Sequence, residues 1–311
     1  LLHLLRGTLM IGSHISELAT PTLFVDLDLM EANVREMATW ITSRGKQWRP
    51  NVKCHKLPVV AHLQRRQGAI GVTAAKSSEA EVFVTNGIPD VLIANMIAGS
   101  AKLQRIASMC HWGDPIVACD HFAQAEALSN VCQDRGVRCR VIIEVDLGLN
   151  RVGVRPGADA RDLTRGIARL PGVELVGIMG YEGHLLTESD PELKRSRIFS
   201  ALDLLAEVRD QMLADGLNCA IVSAGGTGSF QITSDHPAVT ELQAGGGIFA
   251  DPFYLERCGV QGLTPSLRVL ATVASRPKLD RAILDAGRKS VHPDIHPPQI
   301  RRTAPGRFLP D

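Results

Sequence analysis

The sequence has no excess of charge of either sign: 34 basic residues stand against 33 acidic ones, a formal net charge of +1. It offers no basic stripe to grip nucleic acid or an anionic membrane surface. Its seven cysteines (54, 110, 119, 132, 139, 219 and 258) are odd in number and form no C-x-x-C pair. That argues against a disulfide frame or zinc knuckle and points to reduced thiols in a cytoplasmic protein. Internal repeats are absent. The opening Leu1-Leu2-His3-Leu4-Leu5-Arg6 is apolar but too short to span a bilayer, and it lacks the basic region and cleavage site of a signal peptide. Met10-Ile11-Gly12 reads as the natural start, with residues 1–9 as upstream read-through.

What is present suits a globular enzyme. The 311 residues are 45% hydrophobic and 22% charged, enough for one barrel and a small second domain. Short apolar runs at 48–54, 69–75, 90–96, 114–119, 140–146, 175–181, 220–225 and 240–246 read as strands. Amphipathic helical stretches lie between most of them, at 77–87, 100–110, 121–136, 158–170 and 192–215. Near-continuous runs such as Val141-Ile142-Ile143-Glu144-Val145 fit strands covered on both faces. Eight strands with helical crossovers predict an α/β fold, a parallel (β/α)8 barrel, with a doubly wound open sheet as the alternative.

The flanks read differently. A strand at 22–26 precedes a helix N-capped by Asp28 that stops near Gly45. After Gly247, strands at 267–275 and 281–286 have no helix between them and begin a second, incomplete β domain, which the 22–26 strand joins. The organisation read from the sequence is therefore a 1–19 extension, a 20–250 barrel and a truncated β domain over 251–311. The tail from Pro293 to Asp311 has no periodicity.

Catalytic groups of such a barrel belong at the C-terminal strand ends, and these are unusually polar. The first, Trp48-Arg49-Pro50-Asn51-Val52-Lys53, ends on an amine that forms a Schiff base with an aldehyde when its pKa is lowered. The fifth is followed by a glycine turn and Arg151, placed to grip a carboxylate or ring oxygen. The sixth carries Tyr181, Glu182 and His184, a phenol, a carboxylate and an imidazole in one loop. The seventh ends Val222-Ser223-Ala224-Gly225-Gly226-Thr227-Gly228-Ser229, and the eighth Gln243-Ala244-Gly245-Gly246-Gly247. Two glycine runs on adjacent strand ends match the phosphate site common to such barrels. A lysine opposite a phosphate cradle is an arrangement for pyridoxal 5′-phosphate, aldehyde at one end and phosphate at the other.

The motifs Asp26-Leu27-Asp28, Arg49-Pro50-x-x-Lys53-x-x-Lys56, Ser78-Glu79-Ala80-Glu81, Asn150-Arg151-x-Gly153, Gly225-Gly226-Thr227-Gly228 and Asp285-Ala286-Gly287 together resemble the D-threonine aldolase and D-serine dehydratase family. That family belongs to the alanine racemase-like (fold-type III) pyridoxal phosphate enzymes. Tyr181-x-Gly183 and Glu241-Leu242-Gln243 look closest to the 3-hydroxy-D-aspartate aldolase branch.

The resemblance implies that Lys53 is the Schiff-base lysine and that Gly226, Thr227, Gly246 and Gly247 hold the phosphate. It places Arg151 beside the cofactor's phenolic oxygen or the substrate carboxylate, and Gln243 where relatives face the pyridine nitrogen, often with arginine. Tyr181, Ser223 and Gly245 complete the implied cofactor contacts, and Tyr181, His184 and Arg151 join Lys53 as catalytic residues. The implied activity is aldol cleavage of a β-hydroxy D-amino acid to glycine and an aldehyde, in a homodimer. Dehydration of D-serine or D-threonine, racemisation, and a non-enzymatic role in cofactor homeostasis are the alternatives.

Two departures stand out. Asn51 replaces the usual histidine, and Tyr181-Glu182-Gly183 replaces His-Ala-Gly. Family members also continue past this end, with a histidine and a cysteine or aspartate that bind a divalent metal (Mn, Zn or Mg). His292 and His296 are four apart, but the prolines at 293, 297 and 298 deny them a helical face, so no metal ligand is assigned. The expectation is a chain that binds pyridoxal phosphate yet has little lyase activity, with no rescue by added Mn²⁺ or Zn²⁺.

Overall fold

The computed structural model describes residues 11–292 and 297–300. The proposed read-through at 1–9, His296 and most of the aperiodic tail lie outside the described residues. The chain forms two compact units, one of Asp28–Pro265 and one combining the residues up to Leu27 with those from Ser266 onward. The division thus falls after residue 265, not after 250.

The smaller unit contributes β1 (Thr22–Val25). The larger one follows with β2 (Gln47–Trp48), β3 (Val72–Ala74), β4 (Val91–Ile93), β5 (Ile116–Cys119), β6 (Cys139–Glu144), β7 (Val173–Met179), β8 (Ile221–Ala224) and β9 (Glu241–Leu242). Back in the smaller unit, β10 (Leu267–Leu270) pairs antiparallel with β1, and β11 (Val273–Lys278) with β12 (Arg281–Leu284). The run read as one strand at 267–275 is thus split into two.

In the larger unit all eight strands are parallel, in the order β2-β9-β8-β7-β6-β5-β4-β3. The outer two also meet. Trp48 C=O accepts from Ile70 N–H at 2.9 Å and Pro50 C=O from Thr73 N–H at 2.8 Å, and Asn51 bridges Thr73. The sheet closes into the expected barrel, and the open-sheet alternative falls.

Helices α1 (Leu27–Thr42), α2 (Pro58–Arg66), α3 (Ser77–Thr85), α4 (Ser100–Met109), α5 (Phe122–Asp134), α6 (Ala158–Ile167), α7 (Pro191–Ala214) and the one-turn α8 (Phe230–Thr233) connect the strands. Helix α2 starts on Pro58, whose missing N–H costs nothing in a first turn. Asp190 caps α7 by accepting from Glu192 and Leu193 N–H. Asp28 is not a cap: α1 begins one residue earlier, and the carboxylate lies in its first turn, where the helix dipole favours it. Leu92, Ile116, Ala118, Ile142, Val176 and Met179 pack into a core that joins β4 to β7.

At the N-terminal end of the barrel, Arg49 is almost wholly buried between carboxylates. Its Nε lies 3.1 Å from both Glu241 oxygens and its Nη1 2.7 Å from Asp90 Oδ1. Burial works to lower its pKa, but the two carboxylates outweigh burial and raise it. The arginine ties β2 to β9 and to the start of β4, so its part in the Arg-Pro motif is structural.

The strands that carry the site are shorter than their apolar runs. Past Trp48, Arg49 and Asn51 still donate to Leu242 and Gln243 at 2.9 Å, but Pro50 has no donor to continue a ladder. The chain then turns through one 3-10 turn, Val52–Cys54, and the glycines after β9 make another at Gly246–Ile248. Among the described residues no helix is long and apolar enough to cross a membrane.

Candidate active site

Lys53 sits within the Val52–Cys54 turn, two residues beyond the last barrel hydrogen bond, and not at a strand end as the apolar run implied. The Asn51 side chain creates the turn by accepting from Lys53 N–H at 3.1 Å. This is the work of the residue that stands in place of the usual histidine. Lys53 is exposed, and its Nζ has no hydrogen-bond or ion-pair partner among the described residues. Lys56 is the opposite case, with its Nζ 3.1 Å from Glu79 Oε1. Of the two lysines in the motif, only Lys53 offers a free amine.

The turn rests against the loop after β9. A side chain at Gly245 would collide with the Asn51 backbone, so only glycine lets the two strand ends close. Thr227, nearly buried, joins this loop to the one after β8 by accepting from Gly247 N–H at 3.2 Å. Gly226 N–H donates to Ser229 Oγ. The N–H groups of Thr227, Gly228 and Gly246 donate to no acceptor among the described residues, so three backbone donors stand ready for an anion. Deeper, Gln243 Nε2 donates to the fully buried Ser223 Oγ at 3.0 Å.

The loop from Asp146 to Gly153 carries Arg151. It is fixed at its ends by Asp146, which accepts from Gly148 and Asn150 N–H, and by Asp120, which accepts from Gly153 N–H. The half-exposed Arg151 donates to Glu144 Oε1 at 3.2 Å, at the end of β6. Burial raises the Glu144 pKa, against the lowering effect of Arg151.

The Tyr181–Glu182–His184 cluster does not form as one group. Tyr181 is half-buried, its ring pressed between Gly183 and Gly226, with the Arg151 guanidinium 5.7 Å from its centroid. Burial, then Glu182 and Tyr254, push its phenol well above the ordinary range, outweighing Arg151. Glu182 turns inward: fully buried, it accepts from Ser229 Oγ at 2.6 Å and Thr233 Oγ1 at 2.5 Å. Through Oε1 it binds the loop after β7 to α8, while its buried Oε2 has no hydrogen-bond partner among the described residues. His184 is exposed and lies beside Gly148.

A free amine, a two-loop cradle of backbone donors and an aromatic ring beside that cradle fit pyridoxal 5′-phosphate. Over residues 25–252 the chain matches the family described as alanine racemase, N-terminal domain. The chain belongs to this family. It is 35% identical over 291 residues to a D-threonine aldolase of Arthrobacter sp., covering 93% of this chain and 77% of that one. A 3-hydroxy-D-aspartate aldolase of Paracoccus denitrificans (strain Pd 1222) is 32% identical, covering 90% and 74%. The crystal structure of D-threonine aldolase from Filomicrobium marinum aligns with a TM-score of 0.85 at 35% identity, covering 88% of this chain and 75% of that one.

Within the alanine racemase N-terminal frame, sequence reasoning missed Tyr254. It lies half-buried on the turn Phe253–Arg257, with its ring and phenol against Gly246, and burial raises its pKa. One signal was available: the chain has only two tyrosines, and the other is Tyr181. A metal fits less well. Among the described residues no three His, Cys, Asp or Glu side chains converge on a metal position, and of the histidine pair at 292 and 296 only His292 is described.

Proposed function

We propose that the barrel mouth binds pyridoxal 5′-phosphate and cleaves the Cα–Cβ bond of β-hydroxy D-amino acids, releasing glycine and an aldehyde. The observation that carries this is the unpaired Lys53 amine on a turn whose Asn51 backbone packs against Gly245 of the loop after β9. The two aldolase relatives supply the reaction class. A reduced, cytoplasmic setting agrees with seven unpaired cysteines, and a homodimer is the assembly that sedimentation would test.

When bound, the cofactor supplies an aldehyde for the amine and a conjugated ring that accepts the electron pair left on Cα. The chain's own residues do the rest. The N–H groups of Thr227, Gly228 and Gly246 would hold the phosphate, with Gly226, Gly245 and Gly247 letting Tyr181, the Asn51 backbone and Met37 pack closely around those loops. The Tyr181 ring, packed on Gly226, would flank the cofactor beside that cradle. Gln243, hydrogen-bonded to Ser223, would offer a neutral amide to the ring nitrogen, which a carboxylate partner would instead hold protonated. Arg151, aimed by Glu144, takes the substrate carboxylate.

Cleavage also needs a base for the β-hydroxyl proton. The raised pKa of Tyr181 keeps its phenol protonated at neutral pH, so it serves as a donor. His184, exposed on the same loop, is the proton acceptor in this reading.

The test is to supply D-threonine, D-serine and 3-hydroxy-D-aspartate to the protein loaded with cofactor, and to quantify glycine and 2-oxo acid. Glycine with an equivalent of aldehyde supports aldol cleavage. A 2-oxo acid with ammonia would make the chain a dehydratase, and racemised substrate alone would overturn both.

A further inference from the structure

Lys194 lies in the first turn of α7, where a helix dipole disfavours a cation. It is 5% exposed, and no carboxylate pairs with it among the described residues. An ammonium buried without a counter-charge is costly unless something else compensates it. Its protein partners are two backbone carbonyls: Gly228 O at 3.0 Å and Cys258 O at 2.6 Å. The first belongs to the glycine–threonine loop after β8, the second to the end of the turn that carries Tyr254.

We propose that Lys194 is a positioning residue of the phosphate cradle, its charge balanced by the dianion that the cradle holds. This rests on the cofactor reading above. A carbonyl bonded to an ammonium cannot turn toward an anion, so Lys194 keeps the Gly228 oxygen out of the cradle while the Thr227 and Gly228 N–H groups stay available. Through Cys258 it fastens the Tyr254 turn to the same loop, which holds the phenol beside Gly246. The ammonium, one peptide removed from the loop, makes the site prefer a phosphorylated ligand without touching it. Burial lowers the Lys194 pKa, and a bound dianion would restore it.

The experiment compares pyridoxal 5′-phosphate with pyridoxal, which has the aldehyde but no phosphate, by absorbance titration of the full chain. Lys194→Met should weaken the phosphorylated ligand at least tenfold and leave pyridoxal within about twofold. Lys194→Arg, which keeps the charge, should retain most of the preference. If Lys194→Met does not fold, Lys194→Gln, which keeps a donor without the charge, should show the same selective loss. Equal weakening of both ligands would mean Lys194 is only a structural brace, and unchanged affinities would mean it is neither; each overturns the proposal. If the unaltered protein binds neither ligand, the cofactor reading itself fails and takes this inference with it.

Discussion

Gly226 lies flat against Tyr181: a Cβ built on the glycine would come within 2.8 Å of the ring's Cε2 and 2.9 Å of its phenolic oxygen. The ring cannot give way freely, because Gly183 closes its other edge. A methyl group at 226 therefore displaces either the ring or the loop that supplies the cradle donors. Overpacking of this kind costs roughly 1–3 kcal/mol. Gly226→Ala should lower the unfolding free energy by that amount and weaken cofactor binding by about tenfold or more, measured by absorbance titration. Unchanged affinity would show that ring and cradle are not coupled.

Lys53 and Lys56 separate by charge pairing. Protein loaded with pyridoxal 5′-phosphate, reduced with borohydride and digested, should carry its pyridoxyl label on Lys53. Lys53→Ala should abolish the visible absorbance band, and Lys56→Ala should retain it. A label recovered on Lys56 contradicts the assignment.

The Arg49–Glu241–Asp90 group is a buried ionic contact whose loss leaves unpaired charge. Removing one member of such a group costs about 3–5 kcal/mol. Arg49→Met should lower the unfolding free energy from urea titration by that much, whereas Lys53→Ala should hardly move it. A loss below about 1 kcal/mol would show that the carboxylates find other partners.

His55, next to the Val52–Cys54 turn, accepts from Leu57 N–H at 3.0 Å, and burial lowers its pKa from the ordinary 6.5 to about 4. The unfolded chain takes up this proton below pH 6.5, while the folded chain resists until near pH 4. Stability from this group is thus complete above pH 6.5 and is lost as the pH falls toward 4. At about 1.4 kcal/mol per unit, the loss accumulates to roughly 3 kcal/mol. Urea unfolding at pH 7.5 and pH 4.5 should show the decline, and His55→Gln should flatten it. An equal slope in the variant would assign the decline to other groups.

Much of the site was legible because its signals are local. Lys53 with its flanking prolines, the two glycine runs and the Asn150-Arg151-x-Gly153 turn are short motifs whose chemistry follows from residue type and place after a strand. Glu182 misled for the same reason. A carboxylate between a tyrosine and a histidine reads as part of a catalytic loop, but its neighbours in space are Ser229 and Thr233, 47 and 51 residues further along. Lys194 gave no signal, since a lysine in an amphipathic helix reads as solvated surface until the fold buries it.

By itself the sequence determined the eight parallel strands and their helical crossovers, since apolar runs and amphipathic periodicity record which faces must leave water. It also marked the two glycine runs after the last barrel strands and the lysines that follow the first. Only the tertiary structure decided that the sheet closes, because closure depends on Trp48, Pro50 and Asn51 meeting Ile70 and Thr73. Only it placed Lys53 in a turn beyond the strand, set Tyr181 against Gly226, and turned Glu182 inward. Such choices rest on contacts between residues far apart in the chain, which no pattern of neighbours encodes.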